Sequence, residues 1–245
     1  MGKHSLVGPA ATRDRVTSLM SVRSPESDAV INSVSDYWLA RGAALLVLSG
    51  AIANGLGALA LPRASLAYKP GQLDAWLSVN LANPSGAEWG AILFTAGGLM
   101  MVPIAFALDR LIGGRHRGLA RIGAMSMAVA ALTNGMATML PFVVSTQLAP
   151  VVDVANPLAS VIATAMLGAA LTADAVAIGF LGIGIMLVGV AMMADANFGR
   201  ALGVLGLIAG LAVMPMTLEA SYAWAAHWLL GLAWRLWQLP GRPAR

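Results

Sequence analysis

Few groups in this chain of 245 residues can move a proton, hold a metal or attack a carbon. There is no cysteine, which excludes disulfides, thiolate nucleophiles and Cys-ligated metal centres. The histidines are His4, His116 and His227, and only His227 falls within an apolar run, between Trp224 and Trp228. An imidazole so placed suits an axial ligand for haem or a chlorophyll-type pigment. A bis-histidine haem needs a second histidine at membrane depth, and the more ordinary role is a neutral imidazole hydrogen-bonded to a neighbouring helix. Glu219, beside the tryptophan-rich final run, reads as a cation or proton site or, more simply, as an acid in the first turn of a helix. Asn54 and Asn134, with Ser126 and Thr133 near the latter, lie mid-run in apolar stretches where lipid offers side-chain amides no partner. They either line a small polar cavity or clamp helices together. Phosphate-cradling glycine loops, HExxH and GxSxG motifs and metal-spaced histidine pairs do not occur in the sequence, so no catalytic or metal-binding residue is assigned.

The setting for these residues follows from composition. Hydrophobic residues make up 58% of the chain, charged residues 11%, and the mean hydropathy is +0.77. A soluble domain is about 45–50% apolar and about 25% charged. The chain therefore reads as several membrane crossings of about 20 residues each. The pI near 10.1 does not signify nucleic acid, because the basic residues sit at the ends of apolar runs and form no stripe on a polar domain.

Segment by segment, the sequence predicts an all-α bundle. Residues 1–36 form a polar cytoplasmic segment, flexible at first, with a helix start at Ser24-Pro25-Glu26. The transmembrane domain covers 37–239, and 240–245 is a cytoplasmic tail. The first crossing is 37–61, stopped by Pro62. Leu73, Trp76, Leu77 and Leu81 then predict a short amphipathic helix on the membrane surface. Ser85 and Glu88 match a capping box opening the second crossing, which runs to about Leu108. The third runs from 119 to about 140, stopped by Pro141. After Asn156-Pro157, residues 158–194 exceed one crossing; 158–171 read as an extension or a re-entrant piece, interrupted by Thr172 and Asp174, with 175–194 as the fourth crossing. The fifth is 201–218 and the sixth 221–239. Pro103 and Pro215 are candidate kinks. Gly199, Gly203, Gly206 and Gly210 form small-xxx-small patterns that permit close packing of the fifth crossing.

With six crossings and both termini cytoplasmic, thirteen of the 15 Lys and Arg fall inside and only Arg63 and Lys69 outside, a strong positive-inside bias. Shifting the chain by 86 positions matches Ala91, Ile92, Phe94, Gly98, Met100, Val102, Ala105 and Asp109 to Ala177, Ile178, Phe180, Gly184, Met186, Val188, Ala191 and Asp195. A duplication of this kind is a parallel two-helix repeat; chance agreement between apolar helices is the competing explanation. The basic turn Arg115–Arg121 followed by Ile122-Gly123, and Phe198-Gly199-Arg200-Ala201-Leu202-Gly203 before a glycine-rich helix, resemble a bacterial family of six-helix membrane proteins of unknown function. The resemblance spans about residues 38–238 and implies no activity or site residues.

The expectation is thus a multi-pass protein of the bacterial inner membrane. Its leading role is an accessory or scaffold subunit whose partners are lipid, other membrane subunits or itself, and not nucleic acid. A carrier for a small apolar molecule or lipid near Asn54 and Asn134 is the alternative, and a haem- or pigment-holding subunit through His227 a third.

Overall fold

The structure, a computed structural model, describes residues 34–60, 68–114, 116–152, 156–214 and 218–239, and these are helical with short connections. In order they form α1 (Val34–Ala60), α2 (Leu73–Ala82), α3 (Pro84–Leu99), α4 (Met101–Leu111), α5 (Arg117–Val143), α6 (Pro157–Met193), α7 (Arg200–Val213) and α8 (Leu218–Gln238). Four stretches are long and apolar enough to cross a membrane: Val34–Ala60, Pro84–Leu111, Arg117–Val151 and Pro157–Met193. The expected helix start at Ser24 lies outside the described residues.

Along α1 and α5 the buried positions are mostly small side chains and the large ones face outward. The buried set along α1 is Ala40, Ala43, Ala44, Val47, Gly50, Ala53 and Gly57, while Leu45, Leu48, Ile52, Leu56 and Leu59 are exposed on the same helix. Along α5, Ile122, Met125, Val129, Leu132 and Met136 repeat that outward stripe. A water-soluble core would invert this order. Small residues at the contacts let backbones approach without help from the hydrophobic effect, as packing in lipid requires.

Helix boundaries follow the capping and proline chemistry, with corrections to the sequence expectation. α3 is capped by Asn83, whose side-chain oxygen accepts from Gly86 N at 3.0 Å, with Pro84 in the first turn; Ser85 lies inside the helix and is not the cap. The apolar stretch Pro84–Leu111 is interrupted at Met100. Pro103 supplies no N–H to the carbonyl four residues back, that of Leu99, where α3 ends. Pro141 does not stop α5, which runs to Val143 and passes into a π-helical turn (Val144–Leu148) and a 3₁₀ turn (Ala149–Val151). In this stretch the Ser145 and Thr146 hydroxyls both donate to Phe142 O, at 2.9 and 2.8 Å.

α6 is one unbroken helix of 37 residues, capped by Asn156. Thr172 does not interrupt it, because its hydroxyl donates back to Gly168 O at 3.1 Å. Residues 158–171 are therefore an extension and not a re-entrant piece. α7 ends at Val213, earlier than the expected 218, and Leu218 already belongs to α8. Met214 still has right-handed helical angles, φ −62° and ψ −45°; Pro215 lies outside the described residues. α2 does not present its apolar face to a membrane surface. Trp76 and Leu77 are buried in a satellite core with Tyr68, Val144, Ala149, Ala163 and Leu167, and of the four expected surface contacts only Leu81 is well exposed.

One end of the bundle is tied together by polar contacts. Arg110 at the end of α4 pairs with Asp36 at the start of α1 at 2.8 Å. Asp195, after α6, accepts from Gly113 N at 3.0 Å and from Asn197 N at 2.8 Å. Arg235, in the last turn of α8, donates to Asn197 O, and Arg121 pairs with Asp109 at 3.3 Å. The start of α1, the end of α8 and the turns after α4 and α6 thus share one end. Among the described residues every arginine lies there.

The two halves of the 86-residue match differ in structure. The first is interrupted at Met100 and the second is continuous. Asp109 pairs with an exposed arginine, whereas Asp195 is buried and binds backbone.

Candidate functional site

The polar residues expected at mid-membrane converge on α3. A methyl group on Gly97 would lie 2.6 Å from Asn54 Oδ1, and one on Gly98 would lie 2.7 Å from Asn134 Nδ2. Asn54 on α1 and Asn134 on α5 thus occupy the space left by two successive glycines, immediately before the helix break at Met100. One helical turn earlier, the Thr95 and Thr138 hydroxyls are 2.7 Å apart, and Thr138 lies 3.1 Å from the Asn134 carbonyl. Thr133 turns away from this seam and donates to Val129 O at 2.8 Å. The result is a neutral seam joining α1, α3 and α5. Its amides and hydroxyls can bind a carbonyl or hydroxyl, or hold helices together, but supply neither a nucleophile nor a charge.

The other expected site residues do not join it. His227 is exposed on α8, one residue before Trp228, which is fully buried. Trp228 Nε1 lies over α7, where a methyl on Gly206 would come within 2.7 Å of it, and makes no hydrogen bond among the described residues. Glu219 falls in the first turn of α8, but its side chain and that of Trp224 lie outside the described residues. Among the described residues no group of three or more His, Asp or Glu is placed to hold a metal ion.

The glycine set divides. Gly203 and Gly210 meet α6 backbone, with added methyls 2.6 Å from Gly189 O and Gly182 O respectively, and Gly206 lies against Gly189 Cα and Trp228. Gly199 is separate from this seam: at φ +79° it forms the turn into α7, and nothing lies within 4 Å of its would-be side chain. That left-handed backbone is the reason a glycine is needed there.

Sequence reasoning missed the Gly97-Gly98 pair and the Thr95–Thr138 contact, although adjacent glycines in an apolar run were a visible sign of close approach. Nor does the sequence show what surrounds Arg41, the one charge within 37–61. Its guanidinium carbon lies 4.3 Å from the Trp237 ring centroid and 5.1 Å from that of Tyr37. No known protein family, no curated protein and no solved structure matches this chain.

Proposed function

We propose that this chain is a multi-pass protein of a bacterial inner membrane, crossing six times with both termini cytoplasmic, and that it serves as an accessory or scaffold subunit. The observation that carries this reading is the length and surface of α6. At 1.5 Å per residue its 37 residues extend about 55 Å, against a hydrocarbon core of about 30 Å. Counted back from the arginine-bearing end, the hydrocarbon is used up near Ala173. The half beyond still exposes Leu158, Val161 and Ile162, and α2 covers only its Ala163 and Leu167 side. Apolar surface past the lipid calls for a protein partner, either another membrane subunit or a second copy.

The test uses the chain's lack of cysteine. Single-cysteine variants Gln72→Cys and Ala196→Cys, probed with a membrane-impermeant thiol reagent, are expected to label from opposite sides, Ala196→Cys only from the cytoplasm. Purified in mild detergent, the chain is expected to run as an oligomer or with a partner, and Val161→Glu is expected to release it. Labelling from the same side removes the topology, and a bare monomer removes the scaffold role.

The convergence of Asn54 and Asn134 beside a helix break favours a second reading, a carrier for a small apolar molecule bearing a carbonyl or hydroxyl. Mass spectrometry of the native preparation separates the two. A co-purifying molecule lost in Asn54→Leu while the oligomer persists supports the carrier, and a molecule unaffected by that change removes it.

A further inference from the structure

We infer that Arg41, whose guanidinium lies against Tyr37 and Trp237, binds a phosphate group at the arginine-bearing end of the bundle, and that an anionic phospholipid headgroup supplies it. The inference rests on the membrane reading above and names a ligand site within it.

The guanidinium carbon lies over both rings, 5.1 Å from the Tyr37 centroid and 4.3 Å from that of Trp237. Cation–π contact supplies no lone pair, so the N–H donors still want acceptors. Arg41 makes no hydrogen bond or ion pair among the described residues, and of its nitrogens only Nη1 is enclosed. Enclosure strips part of the hydration from a charge that cannot be neutralised by deprotonation. The remaining edge therefore demands an anion. Asp36, the nearest acid along α1, is already engaged by Arg110.

The surroundings identify the anion. Trp38, Trp234 and Trp237 are 66%, 66% and 48% exposed around this end, and tryptophans concentrate at the depth of lipid headgroups. Arg41 lies two turns inside α1, with a stem long enough to bring its head to that depth. A planar fork matches two oxygens of a phosphodiester. A lysine offers only a point charge.

The experiment reconstitutes the full chain in vesicles of phosphatidylcholine with and without phosphatidylglycerol, then counts retained lipids by native mass spectrometry. Wild type is expected to retain phosphatidylglycerol over phosphatidylcholine. Arg41→Gln is expected to lower that retention about tenfold, and Arg41→Lys to lower it less, while Arg121→Gln leaves it unchanged. Should Arg41→Gln fail to fold, Arg41→Lys carries the comparison. Excess inorganic phosphate distinguishes the sources: displacement of the lipid assigns the site to phosphate as such, and persistence assigns it to the headgroup in its bilayer. Equal retention by wild type and both Arg41 variants overturns the inference. A chain that floats with neither vesicle overturns the membrane reading instead.

Discussion

Gly189→Leu is expected to cost about 3 kcal/mol and to separate α7 from α6. A first added carbon at this position would lie 2.8 Å from Gly203 O, 2.8 Å from Leu207 N and 3.0 Å from Gly206 C. All three are backbone atoms, so no rotamer change relieves the overlap and the helices must move apart. Such movement also disturbs Trp228, which packs over Gly206 beside the Gly189 contact. Gly179→Ala on α6 is the matched control. Nothing lies within 4 Å of its added methyl, and the loss of glycine's freedom in the unfolded chain predicts a gain of about 0.5–1 kcal/mol. Unfolding followed by circular dichroism in a detergent–dodecyl sulfate titration measures both. Equal stability of the two variants would refute the seam.

The second large effect belongs to Asp195. Removing its carboxylate as Asp195→Ala is expected to cost about 2–3 kcal/mol, because the residue is buried and the amides of Gly113 and Asn197 both donate to it. Gly113 belongs to the turn after α4, so the same substitution uncouples two turns that are far apart in sequence. Asp195→Asn is expected to lose less, since an amide oxygen still accepts. Its counterpart in the 86-residue match, Asp109, is the contrast. That carboxylate is 25% exposed beside an arginine 58% exposed, and a solvated pair of this kind contributes under about 1 kcal/mol. The same titration ranks the variants, and an Asp109→Ala loss equal to that of Asp195→Ala would contradict the assignment.

What could be read from the sequence divides along physical lines. The helical bundle and its apolar segments were legible because burial in lipid demands long uninterrupted runs, and α1, α5 and α6 are such runs. The Asn156-Pro157 start of α6 was legible because capping is local. Local rules erred where two of them competed. Asn83-Pro84 displaced Ser85 as the cap of α3, and Pro141 sits inside α5, which runs on to Val143 before a π-helical turn. Tertiary contact overruled the amphipathic reading of α2, since Trp76 and Leu77 found Ala163 and Leu167 in place of lipid. Asn54 and Asn134 were identified individually, because an amide in an apolar run stands out. Their convergence on Gly97 and Gly98 was not legible, since it depends on how α1, α3 and α5 are set beside one another. Arg41 was underread for the same reason: Trp237, which lies against it, is nearly two hundred residues away along the chain.

The meeting of Arg41 with Trp237 also bears on how the polypeptide can be rewired. The first described helix begins where the last one ends, so a linker can splice the tail to the head without spanning the bundle. New ends can then be opened at Gly114, in a turn at that same end where nothing lies within 4 Å of its would-be side chain. A circular permutant built this way keeps every helix in its direction and conserves the parity of the threading.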